Sequence, residues 1–289
     1  MSNEKDKIIL KGLNQVYYIR DKQSSEKIRF QALKDFTLSV GEGEFVAIVG
    51  PSGCGKSTLL DILAGLSKAD SGSIEIDQKI VNGPALDRGF VMQSYALFPW
   101  RTIQKNVEFG LELKKIPKKE RSEIARQFIE LVGLKGFEDR YPHELSGGMK
   151  QRIAIARALA YDPKVLLMDE PFAAVDSQTR EVLQDELLRI WATTSKTILF
   201  VTHNIEEAVL LADRVVVMTK NPGTIKEIVD IKLPRPRNNH NIRTSAEYSQ
   251  AVGHLWKLLH NDDDPRPQEK EVGVAAISRS VFPELAQVN

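Results

Sequence analysis

The chain has one cysteine, no long apolar run and almost no net charge. Each shortage excludes something. A lone Cys54 leaves no internal disulfide framework and no cysteine-rich zinc site. No stretch approaches the ~20 apolar residues needed to cross a bilayer as a helix. The first seven residues, Met1-Ser2-Asn3-Glu4-Lys5-Asp6-Lys7, lack the apolar core expected of a secretory signal. Lys and Arg number 40 against 39 Asp and Glu, so no global field draws in nucleic acid or an acidic surface. What remains is a 289-residue chain, 42% hydrophobic and 27% charged, with the composition of a globular protein and the length for a sizeable core.

The chain is organised around Gly50-Pro51-Ser52-Gly53-Cys54-Gly55-Lys56-Ser57-Thr58. The apolar run Phe45-Val46-Ala47-Ile48-Val49 precedes it, and Leu59-Leu60-Asp61-Ile62-Leu63 follows at helical spacing. Strand, glycine-rich loop and helix in that order cradle phosphates. Glycines let successive N–H groups face one concavity, and the helix start adds unpaired N–H groups and a positive dipole end. Lys56 supplies a cation for the β- and γ-phosphates, and the Ser57 hydroxyl suits Mg²⁺. Cys54 sits inside this loop, where a reducing cytosol is its natural home; it reads as a small filler or, because a helix start favours thiolate, as a thiol sensitive to thiol reagents.

Ahead of the loop, residues 8–10 and 16–19 are expected to form two short strands, 21–29 a polar loop and 32–40 a further strand. Tyr17, with Tyr18 beside it, is the aromatic placed to stack on a purine. Beyond the loop, the buried strand 89–92 ends at Gln93, at the sheet end where ligands bind in α/β folds. The apolar and aromatic stretch Leu97-Phe98-Pro99-Trp100-Arg101-Thr102-Ile103 fits either core or a docking patch. Helices are expected over 107–113 and 118–132.

Ser146-Gly147-Gly148 then opens a second glycine-started helix, running to about residue 160. This is another anion-binding helix end, yet the first loop already surrounds one face of a triphosphate, so a site shared between two copies is implied. The apolar run 164–168 delivers Asp169 and Glu170 at a strand end before Pro171. Asp169 suits the Mg²⁺ side of the phosphates, and Glu170 is placed to polarise a water. Asp176 either caps the next helix or organises the shared interface. The strand 197–201 brings His203 to the same sheet end as a γ-phosphate contact. A helix over 206–212, strands over 214–218 and 225–231, and a helix over 245–259 complete the pattern. A linker at 262–267 and a tail from 268 follow.

Taken together, these motifs resemble the ATP-binding cassette (ABC) family over residues 8–260. They occur in the family's order: an aromatic A-loop at Tyr17, the Walker A loop at 50–58 and the Q-loop Gln93. The signature Leu145-Ser146-Gly147-Gly148-Met149, the Walker B strand with Asp169 and Glu170, the D-loop Asp176 and the H-loop His203 follow. The resemblance implies an α/β P-loop ATPase with a RecA-like core, an antiparallel β subdomain and a helical subdomain carrying the signature. It divides the chain into a β-rich start (1–44), a Walker A and Q-loop core (45–95), the helical subdomain (96–160), a Walker B and H-loop core (161–232) and a C-terminal helix and tail (233–289). It also implies ATP and Mg²⁺, with the ion on Ser57, Gln93 and Asp169. Two cassettes would sandwich ATP, an identical copy being the simplest partner. Met149 replaces a common Gln, and Ala173-Ala174-Val175-Asp176 replaces a common Ser-Ala-Leu-Asp.

Leu97-Phe98-Pro99-Trp100-Arg101-Thr102, Asn221-Pro222-Gly223-Thr224-Ile225 and Leu233-Pro234-Arg235-Pro236-Arg237 further resemble the nitrate, sulfonate and taurine importers. That implies transmembrane permease subunits, an extracytoplasmic substrate-binding protein, no nucleic acid and a peripheral place on the cytoplasmic face of the cell membrane. The rival readings are a soluble non-transport ABC ATPase, a small-molecule P-loop kinase and a regulatory nucleotide-binding module. The first usually carries a coiled-coil insertion or two cassettes in one chain, which this sequence lacks. The Leu145–Gly148 signature argues against the second.

Overall fold

The computed structural model describes residues 6–20, 27–237 and 240–260. Its elements are β1 (Asp6–Arg20), β2 (Lys27–Gly41), β3 (Phe45–Val49), α1 (Lys56–Ala64), β4 (Ser71–Ile76), β5 (Lys79–Ile80) and β6 (Arg88–Val91). Then come α2 (Ile103–Leu113), α3 (Lys118–Leu131), α4 (Gly147–Ala160), β7 (Val165–Asp169), α5 (Ser177–Thr194), β8 (Thr197–Val201), α6 (Ile205–Leu211) and β9 (Arg214–Met218). The chain closes with β10 (Ile225–Asp230), α7 (His240–Arg243) and α8 (Ala246–His260).

The strands make two sheets. One has four strands in the order β2-β1-β4-β5, all antiparallel. The other has six, β10-β9-β3-β8-β7-β6, parallel except for β10 at one edge. Parallel strands covered on both faces read as continuous apolar runs. Hence β3 and β8 are buried at every position. Alternate residues face opposite ways. Phe45, Ala47 and Val49 join one core with the helices α2 to α6 and α8. Val46 and Ile48 join a second, with α1 and the antiparallel sheet. The parallel sheet is therefore the middle layer, and the loops at the C-terminal ends of β3, β6, β7 and β8 gather at one edge.

The first strand departs from expectation. Residues 8–10 and 16–19 belong to one strand, β1, not two, with register shifts between Leu10 and Leu13 and again around Gln15. The bulges interrupt the alternation that a continuous strand would show. Residues 27–29, expected in the polar loop, are strand. Residues 21–26, the linker at 262–267 and the tail from 268 lie outside the described residues. No described helix is long and apolar enough to cross a membrane.

Candidate functional site

The phosphate loop runs from the end of β3 into α1, with Gly55 as the helix N-cap at φ 96°. Only glycine accepts that angle without strain, and a Cβ there would lie 2.7 Å from the Ala32 carbonyl oxygen. Lys56 opens α1 and folds back, donating from Nζ to the carbonyls of Gly50 at 2.8 Å and Pro51 at 3.0 Å. Pro51, Ser52 and Gly53 make the turn between, and Cys54 N–H donates to Pro51 O. Cys54 is 1% exposed, and burial pushes its thiol up against the opposing pull of Lys56. This favours the small filler over the reactive thiol: the helix dipole acts here on a side chain that water does not reach.

Ser57 Oγ donates to Asp169 Oδ1 at 3.4 Å, so the first turn of α1 and the end of β7 meet. Burial raises the Asp169 carboxyl, with Glu170 adding to the rise and Ser57 and Lys56 opposing it. Asp61, one turn beyond Ser57, is pushed up to about 6 by burial and then by Asp169. Sequence inspection passed over Asp61, although a carboxylate four residues after Ser57 lies on the same helix face. The Ser57 hydroxyl and the Asp169 carboxylate that meet here are hard oxygen donors of the kind that suits Mg²⁺.

Glu170 stands at φ 43°, strained for a side chain of its size, and its N–H donates to Val201 O of β8 at 2.9 Å. His203, just beyond β8, brings Nδ1 to 3.1 Å from Glu170 Oε2. Water against Glu170 and an anion against His203 would thus share one spot. No hydrogen bond among the described residues joins Gln93 to this group. Its side chain is exposed beyond β6, with no hydrogen bond among the described residues.

Tyr17 on β1 is half-buried with its hydroxyl against the Thr58 side chain, at the far end of the phosphate loop; burial raises its pKa. Tyr18 points away and is exposed. Ser146 caps α4, accepting from Met149 N–H at 3.3 Å. Gly147 packs by the Tyr95 hydroxyl and Gly148 by Thr179. Among the described residues, no hydrogen bond joins residues 146–148 to 50–58, so the two glycine-started helices do not close on each other within one chain. Asp176 caps α5, accepting from Thr179 N–H at 3.0 Å, and that bond lowers its carboxyl. Trp100 is 73% exposed, while Phe98 beside it meets Phe109 edge to face and carries Arg101 above its ring. The stretch 97–103 is therefore part core and part surface.

The ABC transporter family profile matches residues 33–173. An uncharacterized ABC transporter ATP-binding protein of Methanocaldococcus jannaschii is 60% identical over 234 residues, 81% of this chain and 86% of that one. This chain belongs to the ABC transporter family. It is the ATP-binding, ATP-hydrolysing cassette of that family. A nitrate import ATP-binding protein of Synechocystis is 52% identical to the cassette, covering 79% of it and 88% of the relative. An aliphatic sulfonates import ATP-binding protein of Bacillus cereus is 47% identical, covering 73% and 82%. A solved dimeric ATP-binding cassette in a post-hydrolysis state, bound to ADP and Pi, superposes with a TM-score of 0.68 at 33% identity, covering 78% of this chain and all of that one.

Proposed function

We propose that the cassette powers uptake of a small anionic solute of the nitrate, sulfonate or taurine kind. It would act as one of two identical ATPase subunits beneath a permease, on the cytoplasmic face of the membrane, supplied by an extracytoplasmic binding protein. The observation that carries the ATPase site is the 3.1 Å approach of His203 to Glu170 beside Ser57 and Asp169. The solute class rests on the nitrate and sulfonate names of the relatives.

In this reading Tyr17 stacks on adenine, and residues 50–58 wrap the phosphates, with Lys56 turning from the Gly50 carbonyl to the γ-phosphate. Ser57 and Asp169 would hold Mg²⁺, with Gln93 as a further ligand. The ion, when bound, neutralises the phosphate oxygens. Glu170 orients the attacking water and His203 holds the γ-phosphate. Ser146, Gly147 and Gly148 of one protomer cover the nucleotide of its partner, and Asp176 lies where the protomers meet. Movement of Gln93 would transmit closure to the permease. The segments 1–44, 45–95, 96–160, 161–232 and 233–289 are the corresponding functional divisions.

The test has two parts. Glu170→Gln protein should bind ATP and dimerise but turn over slowly; normal turnover removes the site. The full chain should co-purify with a permease and stimulate uptake of nitrate or a sulfonate in vesicles; co-purification with ribosomes or DNA instead removes the transport reading.

A further inference from the structure

Behind His203 lies a partly buried cluster that the mechanism above does not use. Arg180 on α5 donates from Nη2 to the carbonyl of Val175 at 3.2 Å, in the residue just before Asp176. Its Nε is buried without a hydrogen-bond partner and stops 3.6 Å from Oε1 of Glu207 on α6. Glu207 is itself buried, and Oε2 accepts from Thr202 Oγ1 at 2.7 Å. Thr202 precedes His203, and its N–H donates to Ile48 O of β3. Asn204 completes the turn, donating from its N–H to Thr202 Oγ1 and capping α6 through Glu206 and Glu207. Between these groups is a gap of about 10 Å³, lined by Glu170, His203, Arg180, Thr202 and Glu207 among others. That is about the room one water requires.

The contacts form a chain from the 173–176 loop to the site. Val175 is held by Arg180, Arg180 faces Glu207, Glu207 holds Thr202, and Thr202 is the neighbour of His203. At 3.6 Å the Arg180–Glu207 pair stands just beyond hydrogen-bond range, so a shift of a few tenths of an ångström at Val175 makes or breaks a charge-assisted bond. Such a bond is directional and short-ranged, where an apolar contact would slide.

We propose that Arg180 and Glu207 are positioning residues that carry the arrival of a second copy at residues 173–176 to His203 and Glu170, setting them for hydrolysis. The proposal rests on the site reading above, because it needs His203 and Glu170 at the γ-phosphate. It makes each active site sensitive to the neighbouring protomer through a side-chain link inside one chain.

The experiment measures ATPase rate against ATP concentration for the full-length protein and its variants. Arg180→Ala should lower kcat about tenfold with KM for ATP within about twofold. The Hill coefficient, whose ceiling is about 2 for two sites, should fall toward about 1. Glu207→Gln should do the same, and the double variant should be no worse than the poorer single one, since both break one link. ATP-driven association of Glu170→Gln protein should survive the added Arg180→Ala change. Should Arg180→Ala not fold, Arg180→Met reads the same quantities, since it keeps an unbranched stem and removes every donor to Val175 O and Glu207. Unchanged kcat and Hill coefficient, or losses that add in the double variant, overturn the proposal. His203→Ala serves as the reference: if it is fully active, the site reading fails first, and if it alone is inactive, only the link fails.

Discussion

His203 Nδ1 and Glu170 Oε2 meet at 3.1 Å although they end different strands, β8 and β7, and lie 33 positions apart in sequence. The parallel register pairs Asp169 with Val201, which puts the next residues of both strands at one edge. Replacing Glu170 by Gln keeps the shape and the strained backbone but removes the basic oxygen. Turnover should fall about a hundredfold or more while ATP binding stays within a few-fold of wild type. Single-turnover hydrolysis beside equilibrium ATP binding reads both quantities.

Tyr17 lies by Thr58 with its phenol half-buried. If its ring supports the base, Tyr17→Ala should raise KM for ATP about tenfold with little change in kcat, and Tyr17→Phe should restore it. Tyr18→Ala, on the exposed side, should change neither. Steady-state kinetics of the three variants provides the comparison.

Burial beside Asp169 holds the Asp61 carboxyl at about 6, above its ordinary 3.8. A raised carboxyl binds its proton more tightly in the folded state, so stability falls as pH rises between those two values and the penalty persists above them. Asp61→Asn should therefore stabilise the nucleotide-free, Mg²⁺-free protein at pH 8, by roughly 1 kcal/mol once partial exposure is allowed for. The gain should disappear near pH 4. Thermal melting at both pH values gives the sign directly.

Gly223, in the turn between β9 and β10, backs the phosphate loop. A Cβ there would fall 2.0 Å from the Cys54 carbonyl oxygen and 2.8 Å from that of Ala32. Its own carbonyl accepts from Lys34 N–H, and its N–H donates to Ala32 O. Gly223→Ala should cost about 1–3 kcal/mol and displace the loop, raising KM for ATP more than it lowers kcat. Denaturant unfolding and ATPase kinetics together separate the two effects.

The strands β3, β7 and β8 were legible because burial on both faces leaves an unbroken apolar run, and the residues at their ends were then placed by position alone. Other features depend on partners far away in sequence. Arg237 is buried and donates to the carbonyls of Val209, Leu210, Ala212, Ile231 and Leu233. Read along the chain, Leu233-Pro234-Arg235-Pro236-Arg237 marked only a boundary and a family likeness. In the fold it supplies donors to the end of α6, where the last carbonyls of a helix have no partners of their own. Gln93 could be placed at the end of its strand, but its side chain is exposed there and the chain order alone did not give its orientation.

The inward fold of Lys56 has a consequence for how fast nucleotide can be captured. Its ammonium is already stripped of most of its water and rests on two main-chain oxygens of the very loop that receives the ligand. On the function proposed above, an arriving phosphate would replace carbonyls at an ion that has already left most of the solvent. Capture would then exchange one set of oxygens for another at the same ammonium, so the main chain of the loop, and not only the charge of its lysine, would take part in recognising a triphosphate.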